Sequence, residues 1–372
     1  MAKIIYGERI IDKSGLNISK GLMRETFSRA IAASKQLHDK RVAYFFIDPV
    51  MHGFEAGNHF YFEIFACQVI QKLNYYRSGA GPLHALNDAC QLIDNNLFDA
   101  VFIFGFEPLL SNKRKEGKQA VKNAMDIFDG TGLLECYNRL GEHMCDELNL
   151  SKQQFATLAD CLFDNYAASR IDEVKPERGR YMDDAMAPLF RLTDCANPNL
   201  DFAGGIIVSN QSVARQLGMA DTVDVVSVQQ ATVEADPSAP QKIVGDKNCF
   251  FPHIQKIIDA MQKESRQDIH RLLAEDNLLL DIYTCYPPIP LGFLLASKLA
   301  PTIKDIPEFL QKHAITLEGG LNLAGAPWNN PVLSSLVSMY HLLLNGRTEY
   351  GLLHGNGGIG ENQAVALLKK AN

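Results

Sequence analysis

Two unbroken apolar stretches, RVAYFFID at 41–48 and FDAVFIFGFEP at 98–108, constrain this chain more than any other feature. Each is short and rich in β-branched and aromatic residues, so each reads as a strand buried on both faces, the situation of strands in a parallel sheet. Between them, PLHALNDACQLIDNN (82–96) sets Leu83, Leu86, Ala89, Cys90 and Ile93 on one helical face and runs out in polar Asn residues. Parallel neighbours cannot be joined by a hairpin and need a crossover helix. Residues 40–108 therefore predict one strand–helix–strand unit whose helix starts just after the corner RSGAGP (77–82).

The same alternation returns in the second half: FAGGIIVSNQSVARQLG (202–218), DTVDVVSVQQ, the helix FPHIQKIIDAMQKE, the strand LLLDIYTCYPP (278–288) and the helix LGFLLASKLA. This is the pattern of an α/β layer fold. From about 111 to 200 it is interrupted. Helical periodicity dominates there, and Ser151 followed three residues later by Gln154 predicts a capping box. The expected organisation is an N-terminal half (1–110), a helical insertion (111–200) and a C-terminal half (201–372). With 372 residues and 47% hydrophobic composition the chain can bury cores of that size.

A formal net charge of −7 argues against a surface built for nucleic acid or anionic lipid. The one basic cluster, NKRKEG at 112–117, reads as a solvated loop that could also meet a phosphorylated ligand. The N-terminus carries charges inside its apolar stretch and no cleavage pattern, and no window has the length of a membrane span. A cytoplasmic protein is expected. Its eight cysteines are scattered, without C-x-x-C or Cys/His ligand spacing, so buried reduced thiols are expected and no metal site.

The stretch YGLLHGNGGIGENQAVALL reads as an apolar run, a glycine-rich corner and a helical pattern, with Gly355, Gly357 and Gly360 in G-x-G-x-x-G spacing. A dinucleotide fingerprint needs a second strand ending in an acid about 20 residues on. The chain ends at Asn372, 12 residues past Gly360, so a different use for the corner is expected.

Four corners taken together supply one. RSGAGP precedes a helix, DIYTCYPP (281–288) leaves a strand, GGLNLAGAPWNNP (319–331) precedes a helix, and HGNGGIG (354–360) follows a strand. In this order they resemble the thiolase superfamily, most closely thiolase-like acetyl-CoA acetyltransferases, over nearly the whole chain. The resemblance implies an α/β fold of two pseudo-symmetric βαβαβαββ halves in five layers (αβαβα), a helical insertion, and a homodimer or a hetero-oligomer with a thiolase or ketosynthase homologue. It implies an acyl-CoA thioester as substrate and no resident cofactor. Glycines at 355–360 would let backbone N–H groups approach the thioester oxyanion.

Thiolase chemistry uses a nucleophilic cysteine at a helix start, a histidine before the last helix and a second cysteine near the last strand. This sequence departs at all three. Ser78 or Gly79 falls under the nucleophile, with Cys90 about three turns too late; Ser334 stands in the place of the histidine; His354 stands in the place of the second cysteine. The candidate catalytic set is His354, Cys285 and Ser78. Gly79, Asn329, Asn330, Ser334, Asn356, Gly357 and Gly358 are the expected substrate-binding residues. Each has a plainer alternative: Ser78 as a helix cap, His354 in a structural network, Cys285 as a buried thiol, Asn329 and Asn330 as loop ties. Trp328 reads as filling a core, and His84 and His341 as structural. Two functions stay open: acyl transfer, condensation or hydrolysis with an altered catalytic set, or a silent subunit that binds acyl chains or stabilises a catalytic paralogue.

Overall fold

The computed structural model describes residues 1–14, 37, 39–51, 72–125, 132–170, 177–181, 188–219, 221–234, 236 and 241–371. Nine strands form one mixed sheet: β1 (Lys3–Asp12), β2 (Val42–Ile47), β3 (Lys72–Tyr76), β4 (Ala100–Glu107), β5 (Asp201–Ser209), β6 (Val223–Thr232), β7 (Leu278–Asp281), β8 (Tyr350–Gly357) and β9 (Asn362–Lys370). Their order across the sheet is β3-β2-β4-β5-β1-β6-β9-β8-β7.

That order contains a repeat. From β1 outward, β5 is antiparallel, β4 antiparallel to β5, and β2 parallel to β4. From β6 outward, β9 is antiparallel, β8 antiparallel to β9, and β7 parallel to β8. The equivalent strands β1 and β6 meet antiparallel, Lys3 opposite Asp224 and Ile4 opposite Val223, which is the pairing a two-fold axis produces. Beyond β2 the first half adds the parallel β3; beyond β7 the second half carries the bond from the Ile282 N–H to the Ile315 carbonyl (2.8 Å).

In each half one helix immediately precedes the second-last strand: α1 (Gly81–Asp94) before β4, and a later equivalent, Pro331–Asn345, before β8. Both carry Pro in the first turn, where its missing N–H and fixed φ cost nothing. Both pack on their own half-sheet and on the other one, so they form the central layer of an αβαβα stack. Residues 109–168 hold α2 (Leu109–Glu116), α3 (Lys118–Met125), α4 (Leu133–Leu148) and α5 (Lys152–Ala168). The capping box at Ser151 and Gln154 forms as expected. On the outside, α6 (Gln211–Gln216) brings Val213 and Ala214 onto Tyr44, Phe46 and Phe102, and α7 (Pro252–Ser265) covers β6 and β9. In the second half, α8 (Pro288–Ala296) follows β7, and the Pro331–Asn345 helix is α9.

Two local expectations fail. The segment after the glycine corner is strand β9, not helix, because it pairs with β8 over its whole length, Tyr350–Gly357 against Asn362–Lys369. The corner is a hairpin, and a dinucleotide fingerprint, which needs a helix N-terminus there, has no place in it. The basic cluster at 112–117 is not a loop: all but Gly117 lies in α2, with Lys113, Arg114 and Lys115 in the last turn, where cations complement the helix dipole.

Candidate functional site

The C-terminal ends of parallel strands β2, β4, β7 and β8 lie at one edge of the stack, where the N-termini of α1 and α9 also arrive. Open α/β sheets hold their ligands at such edges. A cavity of about 1010 Å³ opens there, lined among others by Ser78, Gly79, Tyr137, Tyr283, Cys285, Trp328, Asn329, Asn356, Gly357 and Gly358. Its apolar side comes from the insertion and neighbouring loops: Leu109, Val121, Leu133, Leu134 and Trp328. Arg77, Lys113, Lys118 and Lys122 also reach it.

Ser78 is set by its backbone. Its φ is +94°, a left-handed value that a residue with a Cβ adopts only where the surroundings impose it. Its N–H donates to Asn329 Oδ1 at 3.2 Å, and its Oγ accepts from Asn362 Nδ2 at 3.3 Å. The helix-cap alternative does not hold, since the N-cap of α1 is Ala80 and no side chain caps it. Gly79 and Gly357 are glycines because nothing larger fits. A Cβ on Gly79 would lie 2.3 Å from both the Asn356 carbonyl oxygen and Tyr283 Oη, and one on Gly357 would lie 2.7 Å from Ser78 Oγ.

Asn329 ties the two halves together: Nδ2 donates to the Asp48 carbonyl at 2.8 Å at the end of β2, while Oδ1 holds Ser78. Glu107, at the end of β4, is buried and accepts from the Val50 N–H at 3.0 Å. Burial drives its carboxyl well above the usual range, against the backbone N–H groups of Val50 and Asn329 and the charge of Arg77. Asn330 is fully buried with no hydrogen bond to either side-chain atom among the described residues, packed against Gly105, where a Cβ would come 1.7 Å from its Oδ1. It does not line the cavity.

Cys285 does line it. Burial pushes its thiol up to about 12, so it is protonated at neutral pH, and Asn356 Nδ2 approaches Sγ at 3.6 Å. His354 sits behind this wall and lines a separate, small cavity of about 50 Å³ together with Arg9, Glu318 and Ser334. Both of its ring nitrogens are engaged: Nδ1 accepts from the Tyr283 N–H at 3.4 Å, and Nε2 faces Gln363 Oε1 at 2.6 Å. The ring packs at 4.3 Å, tilted by 31°, on Phe293 of α8, and burial holds its pKa down to about 3. Ser334, in α9, accepts from Arg9 at 2.5 Å, and the same guanidinium pairs with Glu318 at 2.5 Å. Ser334 is therefore apart from the Ser78 corner.

The link between these candidates is a residue that sequence reading did not single out. Gln363 donates to Asn356 Oδ1 and to the Gly360 carbonyl, and Asn356 in turn donates to Tyr137 Oη at 2.9 Å. Tyr137 donates to the Gly358 carbonyl at 2.9 Å and stacks on Tyr286 at 4.2 Å. His354, Gln363, Asn356, Cys285 and Tyr137 are thus one buried network. Gln363 lies three residues past the glycine corner and could have been suspected; Tyr137 lies in the insertion with no local mark. Among the described residues no group of His, Cys, Asp or Glu is placed to hold a metal ion.

A duplicated half of this topology, stacked as αβαβα with its cavity at the paired helix N-termini, is the thiolase fold, and the chain has it. Solved structures agree over essentially the full length. The SCP2-thiolase like protein type 1 of Mycobacterium smegmatis superposes with a TM-score of 0.70 at 15% identity, covering 99% of this chain and 77% of that one. Human mitochondrial 3-ketoacyl-CoA thiolase gives 0.68 at 11% identity over 100% and 99%, and the Ltp2-ChsH2(DUF35) aldolase 0.68 at 12% over 99% and 97%. Neither a protein-family model nor a curated protein sequence matches the chain.

Proposed function

We propose that this chain is a divergent thiolase-superfamily protein that binds acyl thioesters, with coenzyme A as the carrier, and presents the acyl carbonyl to a non-standard catalytic set. The observation that carries this reading is the cavity itself. It is apolar along the insertion, it carries three lysines and Arg77 for phosphate groups, and it ends at the strained Ser78 turn among glycines that leave backbone within reach of a carbonyl. The thioester is the substrate, and the reading calls for no resident cofactor. Acyl transfer is the reaction class that fits: Ser78 Oγ would attack the thioester carbonyl and release the CoA thiol. We further read the protein as cytoplasmic and as a homodimer or a hetero-oligomer with a thiolase homologue. Among the described residues no helix is long and apolar enough to cross a membrane.

A second reading has its own observation. The hydrogen bonds of Ser78 go to Asn329 and Asn362, neither a base; Cys285 is protonated; His354 is neutral with both nitrogens engaged. Such a site suits a silent subunit that binds an acyl chain or stabilises a catalytic paralogue. The name of one structural neighbour, the Ltp2-ChsH2(DUF35) aldolase, joins two proteins.

Intact-mass measurement after incubation with acetyl-CoA, acetoacetyl-CoA and octanoyl-CoA, with melting curves in parallel, separates the readings. A stoichiometric acyl adduct mapped to Ser78 establishes covalent transfer. A raised melting temperature without adduct establishes the binding subunit. Neither effect with any of the three sinks the acyl-thioester reading.

A further inference from the structure

Tyr283 stands between the two cavities: it lines the large one with Ser78 and Gly79 and the small one with His354. Its backbone N–H is taken by His354 Nδ1, but its Oη makes no hydrogen bond among the described residues. Burial pushes the phenol well above its ordinary pKa, so it keeps its proton at neutral pH. The large cavity therefore has a hydroxyl donor in its wall whose hydrogen is unspent.

Its place relative to Ser78 follows from two close approaches. The point where a Cβ would stand on Gly79 is 2.3 Å from both Tyr283 Oη and the Asn356 carbonyl oxygen, and the corresponding point on Gly357 is 2.7 Å from Ser78 Oγ. Ser78 and Gly79 are consecutive, as are Asn356 and Gly357. The two hydroxyls thus belong to points one residue apart on both segments, a chain step of about 3.8 Å. A carbonyl bound there can have its carbon at Ser78 Oγ and its oxygen at Tyr283 Oη.

The tyrosine is also fixed from behind. Gln363 Nε2 donates to the Gly360 carbonyl, which can only accept, so Oε1 is the end of that carboxamide that meets His354. His354 Nε2 then carries the ring hydrogen, and the bare Nδ1 accepts from the Tyr283 N–H at 3.4 Å.

We infer that Tyr283 is a catalytic residue whose phenol donates a hydrogen bond to the carbonyl oxygen of the bound acyl thioester. The role rests on the acyl-thioester reading and supplies what Ser78 by itself lacks, a side-chain donor for the oxygen that gains negative charge. Ser78 Oγ forms the bond to the carbonyl carbon, the C–S bond breaks, and the seryl proton leaves on the CoA sulfur as the thiol. Tyr283 keeps its own proton throughout.

Tyr283→Phe removes the oxygen alone. Because Oη has no partner, the variant without ligand should melt with wild type; a clear fall in melting temperature would mean that the hydroxyl holds the fold, and overturns the inference. With saturating octanoyl-CoA, timed intact-mass spectra should show Ser78 acylated at least tenfold more slowly in the variant, one oxyanion donor being worth on the order of 10²–10³ in rate, with calorimetric affinity changed less than about threefold. In Ser78→Ala the thioester survives, and the infrared band of octanoyl-CoA labelled with ¹³C at its carbonyl should lie below its frequency in solution. Adding Tyr283→Phe should remove at least half of that shift. Equal acylation rates, or equal bands with and without the phenol, overturn the donor role; if wild type binds octanoyl-CoA without acylation, the bands alone decide it. Failure of wild type to bind octanoyl-CoA removes the acyl-thioester reading and the inference with it, a result distinct from binding with an unmoved band.

Discussion

Gln363 Oε1 lies 2.6 Å from His354 Nε2, and the amide nitrogen of the same side chain bonds Asn356. One carboxamide therefore fixes a buried imidazole on one side and a cavity-lining amide on the other. Burial holds His354 neutral although the Gln363 bond favours its charged form, and the ring connects to the cavity wall through Gln363 and Asn356.

The pH dependence of stability follows from that burial. The ring has a pKa of about 3 in the folded protein against an ordinary 6.5, so its stabilising contribution is complete above 6.5 and is lost as pH falls from 6.5 toward 3. Between pH 6.5 and 5 the loss is about 2 kcal/mol at roughly 1.4 kcal/mol per unit. Asp281, raised by burial to about 6, works oppositely, its contribution complete below 3.8 and lost as pH rises through about 6. Urea melts across this range should show a shallower acid limb in His354→Gln and a steeper one in Asp281→Asn.

Ser78→Gly relieves the left-handed φ of +94°. It should raise stability by about 1 kcal/mol, the order of strain stored at such a residue, while Ser78→Ala should not. Both variants should lose the acyl adduct. A Ser78→Gly protein no more stable than Ser78→Ala would mean that the turn is unstrained.

Cys285 should resist iodoacetamide in the native protein. With its thiol at about 12, it carries about a thousandfold less thiolate at pH 8 than an ordinary thiol. Peptide mapping after timed alkylation checks this, with urea-unfolded protein as the control. Fast native labelling of Cys285 would restore it as a nucleophile candidate.

Gly79→Ala drives a methyl group into the Asn356 carbonyl and the Tyr283 hydroxyl, each 2.3 Å from the new atom. A cost of about 1–3 kcal/mol or more is expected from overpacking, together with loss of any acyl-CoA-dependent rise in melting temperature. Unchanged stability would mean that the corner can move.

Replacing Lys113, Lys118 and Lys122 together by Glu should weaken CoA binding at least tenfold and flatten its salt dependence, since phosphates are held by charge that salt screens. Unaltered affinity in calorimetry would place the carrier elsewhere.

Much of the framework was legible in the sequence. RVAYFFID and FDAVFIFGFEP announced buried parallel strands because short continuous runs enriched in β-branched and aromatic residues favour strands over buried helices, and the Ser151 capping box could be read residue by residue because its partners are three positions apart. The sequence of β9 misled because NQAVALLKK carries little β-branching, and its strand state comes from β6 on one side and β8 on the other. The resemblance brought Ser78, Asn329, Asn356, Gly357 and Cys285 to one cavity wall. What no local pattern contains is which side of that wall a residue faces. His354 and Asn356 are two apart on β8 and so share a face, yet His354 meets Phe293 and Gln363 behind the wall and Asn356 reaches the cavity. Gln363 meets His354 and Asn356 across the β8–β9 hairpin, but the backbone strain at Ser78, the second cavity that takes Ser334 and the Asn362 contact to Ser78 arise between residues hundreds of positions apart, and only the packing of the two halves decided them.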